Sequence, residues 1–231
     1  EASQAGIALE TGDIDAFVQL DQNTAVQFVD NPAFSMEANS YINGYQLYFS
    51  GGDNRNIATD ENLRKAICYA IDTDGLIKGV FAGYGKSMHD PIADTSVGYL
   101  EKWKDEEYYP YDVEKAKELI SQSNYKGEEL EFLATSSSTT QRICQMIQGY
   151  LLQVGINVKL NLVDQALYTA TRLDGTQYDM TINTVGGETL PDHWSIRYDY
   201  QAYKTGDATA RHDEALGELL YKTWTKEGFT E

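Results

Sequence analysis

Apolar side chains recur at three- and four-residue spacing from Asp60 onward, at Leu63, Ala66, Ile67, Ala70 and Ile71. That period predicts a helix capped by Thr59 or Asp60 and running to about Asp72. The run Asp72-Thr73-Asp74-Gly75 breaks it and caps a shorter helix that carries Leu76, Ile77, Val80 and Phe81. Asp112 caps a third helix, whose Val113, Ala116, Leu119 and Ile120 share one face before Asn124 and Gly127 stop it.

The period then changes. Leu130, Phe132 and Ala134 alternate with other residues as in a strand. The polar run Ser136 to Thr140 leads into a helical stripe of Ile143, Met146, Ile147, Tyr150, Leu151 and Val154, ended by Gly155. Ile156, Val158, Leu160 and Leu162 alternate again, so residues 128–163 read as strand, helix and strand. A right-handed parallel crossover is the expected geometry for that unit. A helical stretch from Ala166 to Leu173 then passes through Asp174-Gly175 to a strand at Tyr178 to Thr184, making a second unit followed by Gly186-Gly187. Open α/β sheets bind ligands outside the carboxyl ends of their strands, which directs attention to the loop after Thr184. Nearer the amino terminus, Ile14, Ala16 and Val18 alternate as a strand, a helical turn is expected near Ala25 to Val29, and Tyr45 to Phe49 reads as another strand. The whole pattern is that of an α/β domain whose strands are joined by parallel crossovers and flanked by helices.

Composition narrows the function classes. The 231 residues, 42% apolar and 23% charged, suffice for a folded α/β domain with its own core. Lysine and arginine total 18 against 36 acids, a net charge of −18, and such a surface repels nucleic-acid phosphates and anionic lipid headgroups. No apolar run approaches the roughly 18 residues of a membrane helix. Cys68 and Cys144 sit far apart within apolar helical patterns, where a small buried thiol is the common role and nothing supports a disulfide.

Several chemistries lack their parts. Gly83-Tyr84-Gly85-Lys86-Ser87 has Val80 where a phosphate loop needs its first glycine, and a helix rather than a strand precedes it. His89, His193 and His212 show no pairing on a helical face, and there is no Cys-x-x-Cys, so neither a metal nor another cofactor is expected. The serines at 136–138 lack a Gly-x-Ser-x-Gly elbow and read as a helix entry. Carboxylate neighbours such as Asp105-Glu106-Glu107 or Asp13 and Asp15 are expected by chance among 36 acids, leaving a carboxylate-based hydrolase as a distant alternative. The 17 tyrosines suit a cleft for peptides or sugars as well as ordinary packing.

An ordered set of segments resembles the family 5 bacterial extracellular solute-binding proteins, which include oligopeptide- and dipeptide-binding receptors. Thr11-Gly12-Asp13-Ile14-Asp15-Ala16 resembles the family's Gly-Glu-Ile-Asp segment, and Leu63 to Asp72, LRKAICYAID, resembles its VRQALAYAID helix. Gly83-Tyr84-Gly85-Lys86 with Pro91-Ile92 and Tyr109 to Ile120, YPYDVEKAKELI, continue the series. Gln148 to Val158, QGYLLQVGINV, and Tyr178-Asp179-Met180 complete it in order.

The resemblance implies an α/β, class II periplasmic-binding-protein-like lobe with a mixed, largely parallel sheet flanked by helices, and capture without covalent change, so no enzyme. Family members have two lobes, which implies that residues 1–40 come from the inter-lobe crossover or first lobe and 41–231 from the second lobe, truncated at its C-terminal end. In peptide-binding relatives the loop after the Tyr-Asp-Met strand carries a Trp and then an Asp for the ligand's α-ammonium. Val185 and Glu188 hold those positions here. The ligand site implied is thus Thr184, Val185, Gly186, Gly187 and Glu188, with Arg142 for a ligand carboxylate and Tyr45, Trp194 and Arg172 as further candidates. Short peptides are the ligands implied and an oligosaccharide or another non-peptide solute, nickel included, is the alternative. The partners would be the permease subunits of an ABC importer, with the receptor acting as a monomer at a lipid-anchored cell-surface or periplasmic location.

Overall fold

A computed structural model describes residues 2–18, 20–37, 43–51, 56–88, 99–186 and the single positions 215, 218, 219 and 222. In chain order its elements begin with helices α1 (Ala2–Thr11) and α2 (Gln22–Ala25) and strand β1 (Asn43–Phe49). Helices α3 (Asn56–Thr59), α4 (Glu61–Ala70) and α5 (Thr73–Phe81), a 3-10 turn at Glu101–Asp105 and helix α6 (Val113–Ser121) follow. Strand β2 (Leu130–Thr135), helix α7 (Ser138–Gln153), strand β3 (Val158–Val163), helix α8 (Gln165–Asp174) and strand β4 (Met180–Gly186) complete the series. The chain divides into two compact units, one of Glu1–Tyr41 with Thr73–Ser87 and one of Ile42–Asp72 with Met88–Glu231.

In the first unit α1 packs on α2 at close range. A Cβ on Gly6 would lie 2.8 Å from the Thr24 methyl carbon, so this contact requires glycine. Phe28, almost fully buried, meets Phe34 edge to face at 4.9 Å. The alternation at Ile14, Ala16 and Val18 does not become a strand. The backbone there finishes α1 instead: the amides of Asp13 and Ile14 both bond the Ala8 carbonyl, and Val18 is 81% exposed. Alternation alone cannot make a strand without an edge to pair with.

The second unit is built on a four-stranded sheet of order β1-β4-β2-β3. Strands β2, β3 and β4 are parallel, and β1 runs antiparallel to β4. This is the mixed, largely parallel sheet that the family resemblance implies, and its parallel crossovers are those that the periodicities predict. Neighbouring residues of a strand face opposite sides, yet Phe132 and Leu133 are both fully buried. Strand β2 is therefore covered on both faces, which explains why its polar alternation is incomplete. Leu133 packs with Tyr168 of α8 and with Tyr178, while α7 buries Ile143, Cys144, Ile147 and Leu151. Each large aliphatic side chain so buried stabilises the fold by about 1.5–3 kcal/mol.

Acidic and hydroxyl side chains set the helix starts. Asp112 caps α6 at the Lys115 amide, Ser137 caps α7 at Thr140, and Asp164 caps α8 at Ala166 and Leu167. Asp60 does more. One of its oxygens takes the Leu63 amide at 3.0 Å and the other takes the Asn124 amide at 2.7 Å, tying the start of α4 to the loop after α6. Gly175 ends α8 in the left-handed region at φ 67°, the conformation that favours glycine. Among the described residues no helix is long and apolar enough to cross a membrane.

Both cysteines are free, Cys144 buried and Cys68 half-buried. Burial pushes the Cys144 thiol up to about 12 and the Cys68 thiol up to about 11, the Arg64 charge offsetting part of the latter.

Asp60→Ala should lower the unfolding free energy by roughly 2 kcal/mol, because it removes a cap and strands a second amide, against about 1 kcal/mol for the exposed cap in Asp112→Ala. Urea denaturation of the two variants measures the difference. For the thiols, both folded values lie above the unfolded value of about 8.5. The stability they contribute is complete below that pH and falls as pH rises toward about 11 and about 12. Iodoacetamide at neutral pH should label both cysteines quickly in denaturant and neither appreciably in the native protein.

Candidate ligand-binding site

The carboxyl ends of β2, β3 and β4 lie along one rim of the sheet, joined there by the beginning of antiparallel β1. At this rim Ser136 extends the β2–β3 pairing through its amide to the Val163 carbonyl at 2.8 Å. Ser137 then turns the chain into α7. Its hydroxyl accepts the Thr140 amide at 3.3 Å and donates to the Thr140 hydroxyl at 2.8 Å, and Thr135 reaches the same buried hydroxyl at 3.3 Å. The amino-terminal ends of α7 and α8 thus both face this side, carrying partial positive charge. The Asp164 carboxylate offsets that charge at α8, whereas the hydroxyl cap leaves it in place at α7.

The pairing of β4 is uneven. Its ladder with β1 runs the full length, from Phe49 opposite Met180 to Asn43 opposite Gly186. Its ladder with β2 comprises Phe132 opposite Met180 and Leu133 opposite Thr181 and goes no further. Beyond that point Tyr168 intervenes. Its buried hydroxyl donates to the Ile182 carbonyl at 2.8 Å and accepts from the Thr181 hydroxyl at 3.2 Å. Among the described residues, Asn183 to Gly186 consequently have a strand partner on the β1 side alone.

Several of the sequence-derived site residues meet here. Thr184 is exposed and stands opposite Tyr45, and residues directly opposite in an antiparallel pair share a face. Tyr45 is 37% exposed, and burial of the rest of the ring pushes its hydroxyl above the ordinary phenol range. Val185 and Gly186 continue β4 opposite Gly44 and Asn43. Arg142 is exposed in the second turn of α7, on the rim side of that helix's length. Arg172 does not join them. It lies in the last turn of α8, about 10 Å along the axis from the rim end, where its carbonyl accepts the Tyr178 hydroxyl at 2.8 Å. Gly187, Glu188 and Trp194 lie outside the described residues.

Sequence reasoning found the strand at Tyr45 to Phe49 and named Tyr45 as a candidate, but not the pairing of that strand with β4. Gly44 and Tyr45 flank the end of β4 from more than 130 positions away, and no local period signals which strand a segment will pair with. Tyr168 was equally hidden, since at helical spacing it is one more ring on an apolar face. Among the described residues no cluster of His, Cys, Asp and Glu is arranged to hold a metal ion.

Residues 1–207 match the family model described as the middle part of the bacterial extracellular solute-binding proteins, family 5. The chain is 29% identical over 141 residues to the dipeptide-binding protein of Escherichia coli (strain K12), covering 58% of this chain and 26% of that protein. The fold is similar to that of the ABC transporter-associated periplasmic binding protein DppA from Helicobacter pylori in complex with peptide STSA. The TM-score is 0.79 at 24% identity, covering 96% of this chain and 43% of that one. It is also similar to the PBP AgaA from A. tumefacien R10 in complex with agropinic acid, at TM-score 0.73 and 27% identity over 96% of this chain and 45% of that one. The chain therefore spans about a quarter of the dipeptide-binding relative and under half of either solved structure.

Tyr168→Phe should cost about 1–2 kcal/mol by leaving the Ile182 carbonyl and the Thr181 hydroxyl short of a partner. Amide exchange should quicken at Ile182 to Gly186 more than at the β2–β3 ladder, as read by hydrogen-exchange mass spectrometry.

Proposed function

The chain belongs to the bacterial extracellular solute-binding proteins of family 5, a family of binding proteins and not of enzymes, and we propose that it forms part of an ABC-importer receptor that captures short peptides. In this reading residues 1–40 come from the inter-lobe crossover or first lobe, and 41–231 form most of the second lobe. The receptor works outside the cytoplasm, lipid-anchored or periplasmic, and hands its ligand to membrane permease subunits.

The one observation that carries the peptide reading is the half-paired end of β4. Main-chain groups of Asn183 to Gly186, with β1 on one side and no β2 on the other, are what an extended peptide pairs with when it adds itself to a sheet. Tyr45 beside Thr184 offers an aromatic surface with a polar tip at the same place. Glu188, two residues past the end of β4, brings a carboxylate for a ligand ammonium, and Arg142 with the start of α7 favours a ligand carboxylate. Binding strength then comes from burial, charge-assisted hydrogen bonds and a cleft that needs little reorganisation. Closure on the ligand is a shift between two states that differ in affinity for it.

A second reading, a non-peptide solute such as an oligosaccharide, draws on two observations. Val185 stands where the family resemblance implies a Trp in peptide-binding relatives, and a similar structure holds agropinic acid.

A longer protein containing this lobe should gain thermal stability with short peptides, and the 231-residue chain alone should gain little, since binding stabilises only where a full cleft forms. Calorimetric screening with di- to pentapeptides and with oligosaccharides decides between the readings. Glu188→Gln should weaken peptide binding about 30-fold, roughly 2 kcal/mol. Stabilisation by sugars alone would refute the peptide assignment.

A further inference from the structure

Strands β2 and β4 separate just below the rim, and the side chains at that point are polar. The last pair of their ladder is Leu133 opposite Thr181. Continued by two residues, the same register would set Thr135 opposite Asn183, on the face that carries Leu133 and Thr181. Tyr168 reaches that face from α8 and packs on Leu133, and its hydroxyl holds both the Thr181 hydroxyl and the Ile182 carbonyl. Asn183 thus stands just beyond the last contact between the two strands, level with the end of β2.

In purely structural terms Asn183 is a poor choice. Asparagine is depleted in strands, and this one is the fourth of the seven residues of β4. It is half-buried. Across the β1 ladder it lies opposite Gln46, whose side-chain oxygen accepts the Tyr48 hydroxyl. Among the described residues no hydrogen bond engages the Asn183 carboxamide. A valine would suit the strand better and leave no polar group short of a partner. On the β2 side of the gap, the Thr135 hydroxyl makes a long 3.3 Å bond to Thr140, which leaves its oxygen able to accept another.

A carboxamide offers a donor and an acceptor side by side. One residue of an extended chain likewise presents its N–H and C=O on the same side, the geometry by which antiparallel strands exchange both bonds. The two sets match. A chain of tertiary amides lacks the N–H and loses half of that match.

We infer that Asn183 is a specificity-determining residue of the rim site, an assignment that rests on the peptide-capture reading and adds a side chain to its main-chain contacts. The carboxamide bonds the N–H and C=O of one residue of an extended ligand where it passes the gap between Thr135 and Asn183. The site then selects chains of secondary amides over N-substituted ones.

Amide NMR of the 231-residue chain tests it with triglycine, trisarcosine and maltotriose as probes at millimolar concentration. Triglycine should move, in a saturable way, the backbone amides of Asn183 to Gly186 and also the side-chain NH2 signals of Asn183. Trisarcosine, which has no amide N–H, should move neither set appreciably. Asn183→Val should weaken triglycine about tenfold and raise the thermal midpoint of the free chain, the reverse of what losing a structural asparagine does. Backbone responses without a side-chain response overturn the role of Asn183 and leave the peptide reading standing. No response to triglycine, or a response to maltotriose in its place, overturns both. Equal responses to trisarcosine and triglycine, or an Asn183→Val chain with a lower midpoint or undiminished triglycine binding, also overturn the role of Asn183.

Discussion

Strand β4 is held at its beginning and released at its end, and the candidate site follows from that asymmetry. The Asp179 carboxylate, buried just before β4, accepts the Glu131 amide at 2.8 Å, while the Asp179 amide returns to the Glu131 carbonyl at 2.9 Å. The Asp179 carbonyl takes the Ser50 amide at 2.8 Å, and the buried Ser50 hydroxyl donates to Gly175 at 2.7 Å. One residue therefore binds β2 on one side and the end of β1 on the other, setting the register of both ladders. A buried carboxylate is costly unless bonded, and these bonds make it a fixed point. From there β4 follows β1 to Gly186 but leaves β2 after Thr181.

The two crossovers converge on the same rim. Parallel strands joined by helices bring the carboxyl ends of β2 and β3, and the first turns of α7 and α8, to one side of the sheet. Small polar residues manage the transition: Ser137 with Thr135 and Thr140 at one helix, Asp164 at the other. Because an anionic cap cancels the helix-end charge and a hydroxyl cap does not, the rim is electrostatically uneven, and Arg142 lies on its more positive part.

The sheet thus has two ends of different character. At the rim, backbone groups and a partly buried tyrosine suit an extended ligand. At the far end of β1, Phe49 lines a cleft together with Glu61, Arg64, Lys65 and Cys68 of α4 and with Tyr109. Seven residues of one strand connect them.

Much of this was written in short-range pattern. The helices from Asp60 to Gly175 and the strands β2 and β3 follow from periods of about 3.6 and 2 residues, and from Asp, Ser and Gly at their ends. The family followed from the order of segments such as LRKAICYAID and Tyr178-Asp179-Met180, whose buried tyrosine and bonded aspartate now have physical roles. The alternation at Ile14 to Val18 misled, because a strand needs a neighbour and that backbone was already engaged with Ala8. Likewise the sequence carried no sign that Leu133, as well as Phe132, would be covered, or that Tyr45 would face Thr184. Local spacing decides which segments can be helix or strand, since it depends on a few consecutive dihedrals and side chains. Only the tertiary structure decides which strand lies beside which, and hence where pairing stops, because those contacts join residues more than a hundred positions apart.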